Sequence, residues 1–435
     1  MYTIVVRAKK DADAVKAMLR VFYRGWDIKV KTLRGVRSLE QFRDKLLDAI
    51  DQDRFNIVLI GREDLDKMEI EHSTPLNVYF SLVPREKVRN ARLPTLREAF
   101  ERGRAKFRNT VFWNGTYIFS KSSGTRLSFE PLPAYDNFMI FGNRGIGVLA
   151  RFLGELRSVL LLVRKLGGEH EVYSGPHLIG KLKIPDLGEV SSEIIRNQEV
   201  VTNIEKVIDA NKRVMSLYEK LSLKLLENLK DKYTTVVVPW SGGRDSTATL
   251  ILASKVFRKR FYAVYVDMEL EFTPVREYIE RVSKILGVKL LIARVKLGDE
   301  VRKRGFPSHK DRWCTKLKIK ALHEKIAEVA EGEILIVVGD RDAESELRSK
   351  RPPVRPDGRY MQVAPIKNWS ASQAQIYILQ NKIPLNPLYS YGFYRLGCWI
   401  CPALRSWERY IMKTYRKELL RDVDQKLLDN FLALD

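Results

Sequence analysis

The stretch Thr234–Ala253 constrains this chain more than any other. Thr234-Thr-Val-Val-Val-Pro239 is an apolar, β-branched run of the kind that forms a buried strand. Ser241-Gly-Gly-Arg-Asp-Ser246 follows almost at once, and Thr247–Ala253 reads as a helix. A strand, a glycine turn and a helix N-terminus together make an anion site. Gly242 and Gly243 let the backbone turn tightly, and the free N–H groups at the positive end of the helix dipole receive the charge. The hydroxyls of Ser241, Ser246 and Thr247 add donors. Asp245 has two readings, a Mg²⁺ ligand accompanying a nucleotide or a cap for the helix that begins there. The spacing is not that of a Walker A loop.

Downstream, Phe261–Val266, Lys289–Arg294 and Ile334–Val338 read as strands, with a helix over Pro274–Leu286 between the first two. Val- and Ile-rich strands alternating with helices predict an α/β, doubly wound, largely parallel sheet, with ligands at the C-terminal strand ends. Asp267 sits at such an end, and Gly339 and Arg341 follow another. Upstream, apolar residues at helical spacing predict one helix over Val201–Lys230. Residues 1–108 alternate strand and helix patterns and predict an N-terminal α/β or α+β domain of unknown role that ends in a basic helix. Residues 109–199 are aromatic and Gly/Pro-punctuated. They predict a small β-rich module or connector, with a hairpin over Glu171–Ile184 and a helix over Val148–Leu166. The remaining unit spans 200–435.

Charge points to a partner. The formal net charge is +23, an excess that suits a polyanion such as nucleic acid. Between Arg85 and Arg126 eleven basic residues face only Glu86, Glu98 and Glu101. No uncharged apolar run approaches the ~18 residues of a membrane span. The N-terminus reads as a strand rather than a secretory signal, so a cytoplasmic protein is expected.

The three cysteines are Cys314, Cys398 and Cys401, too few and too odd in number for a disulfide framework. The C-x-x-C pair with Cys314 admits three readings: a [4Fe–4S] cluster with one open iron, Zn²⁺ with a fourth non-Cys ligand, or redox thiols. These three residues are the candidate catalytic and metal-ligating set.

The loop Ser241–Ser246 is similar to the SGGxDS signature of PP-loop ATP pyrophosphatases, whose sheet is HUP-like. Further blocks resemble the phosphoadenylyl-sulfate (PAPS) reductase family in order. They are Asp267-Met-Glu-Leu-Glu-Phe272, Gly305–Lys318 with its Arg-Trp-Cys-Thr core, Gly339–Arg348, Pro365–Trp369, Pro384–Tyr389 and Gly392–Pro402. The resemblance covers about residues 232–410. It implies ATP, PAPS or adenylyl sulfate (APS) as the adenine nucleotide, bound by the loop together with Asp267, Gly339 and Arg341. Lys316, Lys318 and Arg348 are candidates for the remaining phosphate or sulfate charge, because Arg and Lys recognise such oxyanions. Iron–sulfur tRNA thiolation enzymes share the resemblance, and by that likeness an open iron would carry sulfide. One departure stands out: the tail 422–435 has no cysteine, histidine or glycine, so the sulfo-accepting tail cysteine of assimilatory PAPS reductases is missing. Cys314 is followed by Thr315, not by the second cysteine usual in APS reductases.

The leading expectation is an enzyme that adenylates a nucleic acid (tRNA) and delivers sulfur to it from a donor. The alternatives are a PAPS or APS reductase releasing sulfite, supplied by a reductant, and a non-catalytic nucleic-acid-binding protein.

Overall fold

The structure, a computed structural model, describes residues 1–196, 199–258 and 260–434. The first strands are β1 (Tyr2–Val6), β2 (Ile28–Thr32), β3 (Phe55–Ile60) and β4 (Val78–Leu82), with helices α1 (Lys9–Phe22), α2 (Leu39–Ala49) and α3 (Leu93–Asn109). The strands pair in parallel in the order β2-β1-β3-β4. β1 and β3 are buried along their whole length, as their mostly apolar content allows in a sheet covered on both faces, with Thr3 and Asn56 the polar residues in them.

Short strands β5 (Phe112–Trp113), β6 (Tyr117–Ile118) and β7 (Thr125–Arg126) form a small antiparallel sheet. The larger middle sheet is antiparallel. It contains β8 (Asp136–Ile140), β9 (Leu160–Arg164), β10 (Glu169–Ser174), β11 (His177–Lys183) and β12 (Ser191–Ile194), in the order β12-β11-β10-β9-β8. Helix α4 (Asn143–Leu153) joins β8 to β9. The helix expected over 148–166 therefore ends early. Gly154 leaves the helical region at φ 84°, and the following Leu-Leu-Leu-Val-Arg goes into the sheet. The single helix expected over 201–230 is two, α5 (Ile204–Ala210) and α6 (Lys212–Glu227), broken at Asn211 (φ −99°, ψ 6°).

The C-terminal unit alternates β13 (Thr235–Pro239), α7 (Arg244–Phe257), β14 (Phe261–Asp267), α8 (Thr273–Leu286), β15 (Lys289–Arg294), α9 (Leu297–Arg304), α10 (Trp313–Ala327) and β16 (Ile334–Val337). It continues through α11 (Glu346–Lys350), β17 (Val354–Asp357), β18 (Tyr360–Val363) and α12 (Ala371–Gln380) to α13 (Ser406–Thr414), α14 (Arg416–Leu419) and α15 (Gln425–Leu432). Its sheet runs β15-β14-β13-β16-β18-β17 and is parallel except for the β17–β18 hairpin. This is the expected α/β, doubly wound sheet. Gln375 on α12 closes the free edge of β8, donating to the Met139 carbonyl at 2.9 Å and accepting from the Met139 N–H at 2.9 Å. One hydrophobic cluster reaches from Tyr2 to Phe431 and draws on all four sheets. Among the described residues no helix is long and apolar enough to cross a membrane.

Candidate functional site

The C-terminal sheet winds one way from β13 towards β14 and the other way from β16 towards β18. Its switch point lies between β13 and β16, where open α/β sheets bind ligands. The glycine turn leaves β13 there, and Gly339 leaves β16 beside it. Gly242 adopts φ +73°, a conformation that favours glycine. A Cβ on Gly339 would lie 2.9 Å from the Asp245 carbonyl and 3.0 Å from the Ser246 nitrogen, so only glycine lets β16 end against the first turn of α7.

Within the turn, Ser246 Oγ donates to the Gly243 carbonyl at 3.1 Å and accepts from the Ser241 N–H at 3.2 Å. Gly243 N–H reaches Ser241 Oγ at 3.4 Å. The two hydroxyls thus preform the loop. Thr247 does something else: its buried hydroxyl accepts from Trp240 Nε1 at 2.9 Å and faces the core. Asp245 does not cap α7, whose N-cap Gly243 carries no side-chain bond. Its Oδ1 accepts from Arg341 Nε at 2.8 Å, so that oxygen is committed to holding the loop.

A cavity of about 370 Å³ opens at this switch point. The loop, Val338–Arg341, Arg348, Tyr389, Tyr394–Leu396 and Arg405 line one side. The opposite wall comes from the middle sheet: Phe138, Leu162, Arg164 and His170. Asp136, Arg164 and His170 are direct neighbours on one rung across β8, β9 and β10, and Phe138 and Leu162 pair two residues further along. The two-residue period of a strand puts both pairs on one face.

Arg341 is fully buried on the cavity wall. Its Nη1 donates to Asp136 at 2.9 Å, while its Nη2 is buried without a hydrogen-bond partner. Asp136 also accepts from Tyr394 Oη and from the Ala371 N–H, each at 3.0 Å. Burial alone would push the Asp136 carboxyl up; Arg341, Arg164 and Arg244 overcome it and hold the group below the usual range. Burial pushes His170 down to about 3, leaving it neutral. Arg348 pairs with Glu344 and lies 3.5 Å from Asp340.

The remaining sequence candidates lie elsewhere. Asp267 Oδ1 accepts from the Glu269 N–H at 2.9 Å and from Arg276 at 3.1 Å, away from the cavity lining. Lys316 is exposed on α10, and Lys318 acts on Glu271 and Cys398 instead of the cavity. Arg164, Arg244, Asp136 and Tyr394 were not anticipated. Arg244 stood inside the six-residue motif and was readable there; the others carry no local signal.

Cys398 and Cys401 sit on the segment between the cavity residues Leu396 and Arg405, and Cys314 opens α10. Burial raises both Cys314 and Cys398, and the Cys401 sulfur adds to each shift. Cys398 donates to the buried Glu271 carboxyl at 3.6 Å. Among the described residues no group of three or more His, Cys, Asp or Glu side chains is arranged to hold a metal ion. As placed, Cys314, Cys398 and Cys401 do not form the ligand set that a [4Fe–4S] cluster or Zn²⁺ requires.

Part of the basic run over 85–126 is turned inward, while Arg85, Arg92, Arg102 and Arg126 stay exposed. Arg104 is fully buried on Asp342, Arg108 is buried beside it, and Lys106 pairs with Glu71 at 2.9 Å. Lys121 is buried against the Val78 carbonyl at 3.0 Å. Acidic residues distant in sequence thus offset part of the local excess.

Residues 235–404 match the family model of the phosphoadenosine phosphosulfate reductase domain. The matched residues include the turn Ser241–Ser246 and all three cysteines. An uncharacterized protein of Methanocaldococcus jannaschii is 32% identical over 253 residues, 51% of this chain and 53% of its own length. A second from the same organism is 28% identical over 225 residues, 50% of this chain and 54% of its own. The chain thus spans about half the length of these relatives. An adenosine 5'-phosphosulfate reductase of Lysinibacillus sphaericus is 25% identical over 174 residues, 38% of this chain and 72% of its own. The crystal structure of a phosphoadenylyl-sulfate reductase from Candida auris aligns with a TM-score of 0.34 at 16% identity, over 44% of this chain and 97% of that one.

Proposed function

We propose that the chain binds an adenine nucleotide in the switch-point cavity, adenylates a nucleic acid (tRNA) with loss of pyrophosphate, and transfers sulfur to it. The observation that carries this reading is the cavity itself. It joins the preformed turn Ser241–Ser246 to the segment that bears Cys398 and Cys401. The α7 N-terminus and the Ser241 and Ser246 hydroxyls take the phosphates. A nucleic-acid oxygen attacks the α-phosphorus and pyrophosphate leaves. A sulfur nucleophile supplied by a donor then displaces AMP. No step is routed through a metal. The +23 net charge and the exposed Arg302, Arg304, Lys310, Arg312 and Lys316 around Cys314 favour a polyanionic acceptor.

A second reading is favoured by one finding. Several similar proteins are adenosine 5'-phosphosulfate reductases, and a reductase would take APS or PAPS in the same cavity and release sulfite. One experiment separates the two. Anaerobically purified protein is given ATP, Mg²⁺ and bulk tRNA, and AMP and pyrophosphate are measured. A parallel sample receives APS or PAPS with a reductant, and sulfite is measured. RNA-stimulated release of AMP and pyrophosphate is expected; sulfite without it would establish the reductase instead.

A further inference from the structure

The arginine end of the cavity has more positive charge than its carboxylates satisfy. Arg164, Arg244 and Arg341 all act on the single buried carboxylate of Asp136. Arg341 and Arg244 share a second one: Asp245 Oδ1 lies 2.8 Å from Arg341 Nε and 3.7 Å from Arg244 Nε. Arg164 gives Nη2 to the Ala343 carbonyl, while its Nε is buried without a partner. Arg244 is 3% exposed, and its Nε and Nη1 are both unpartnered. Arg341 Nη2 is a further buried, unpartnered donor.

The guanidiniums of Arg164 and Arg244 lie 5.3 and 4.8 Å from the Tyr394 ring centroid. That aromatic face steadies their charge but accepts nothing from the in-plane N–H groups. Guanidinium cannot lose its proton, and buried polar groups are otherwise almost always paired. What remains is a concave set of donors from three arginines, with planar forks that match a tetrahedral oxyanion.

We propose that this end of the cavity is an oxyanion subsite for a phosphate or sulfate group, distinct from the serine hydroxyls and backbone N–H groups of the turn Ser241–Ser246 although Arg244 belongs to that turn. It is assembled jointly by Arg164 of the middle sheet and by Arg244 and Arg341. Arg164 lies outside the residues that match the reductase family, so the subsite belongs to the joined architecture of this chain. The inference rests on the cavity being the nucleotide site. The oxyanion is either a second phosphate of the nucleotide or a group on a separate substrate.

The test uses isothermal titration of the full chain and of Arg164→Gln and Arg164→Lys, after circular dichroism has confirmed that each variant is folded. The probes are AMP, adenosine 3',5'-bisphosphate, and inorganic phosphate or sulfate added over saturating AMP. Wild type is expected to gain about tenfold from the extra oxyanion in one of the two forms, a gain lost in Arg164→Gln and partly kept in Arg164→Lys. AMP alone is expected to bind wild type and variants alike. A gain with the bisphosphate assigns the oxyanion to the nucleotide; a gain with the free anion assigns it to a second substrate. No gain in either form, or a gain that Arg164→Gln retains in full, overturns the subsite. If AMP fails to bind while sulfate binds in an Arg164-dependent way, the nucleotide reading falls and the subsite stands.

Discussion

Asp136 holds more of the site than any residue of the loop does. It joins Arg341, Tyr394 and the Ala371 N–H, and through Arg341 it fixes Asp245. Both Asp136 and Arg341 are fully buried, so Asp136→Ala removes the buried partner of that guanidinium, leaves it only the half-buried Asp245, and is expected to cost about 3 kcal/mol in urea unfolding. The same change should weaken AMP binding although Asp136 lies behind the loop. His170 gives a prediction about acid. Its folded pKa is pushed to about 3 against an ordinary 6.5, so between these values the unfolded chain binds the extra proton. Stability should therefore fall as pH drops through that window, and the pH slope should flatten in His170→Asn. Thermal unfolding at pH 4.5 and 7 reads the difference.

At the scale of elements, Asn211 explains why two helices stand where periodicity announced one. Its fully buried side chain accepts from the Phe119 N–H at 2.8 Å and donates to the Tyr117 carbonyl at 2.7 Å. Asn211→Leu restores the apolar pattern but strands both partners, and is expected to destabilise by about 1–3 kcal/mol in the same assay. That tie to a short β-strand 94 residues away has no trace in the local sequence. The strands were easier to read. Tyr2–Val6 and Phe55–Ile60 announce themselves because strands buried on both faces are apolar almost throughout, Thr3 and Asn56 apart. The turn Ser241–Ser246 was legible because its chemistry is local. The opposing wall was not: Asp136, Arg164 and Tyr394 meet only through tertiary packing, and Leu160–Arg164 looked like the end of a helix. The inward burial of Arg104 and Arg108 was hidden for the same reason, since Asp342 lies more than two hundred residues away.

For the whole molecule, the shared core matters most. One apolar cluster spans the four sheets, and buried ion pairs join the N-terminal and middle parts to the C-terminal unit: Arg104 with Asp342, and Asp136 with Arg341. The fragment 200–435 would expose that core and leave Asp342 without Arg104. It is expected to be insoluble or molten when expressed alone, whereas the full chain should melt in a single calorimetric transition. A fragment with sharp near-ultraviolet dichroism and its own transition would contradict this.

The rung that sets Asp136, Arg164 and His170 side by side also ties recognition to correct folding. Strand faces alternate with every residue, so slippage of β9 by a single position would rotate Arg164 out of the cavity and bring an aliphatic neighbour in. Such a chain would keep its secondary structure and much of its compactness, yet lose the affinity expected from the extra oxyanion. That gain would thus serve as a gauge of strand alignment, reporting an error that far-ultraviolet dichroism would pass over.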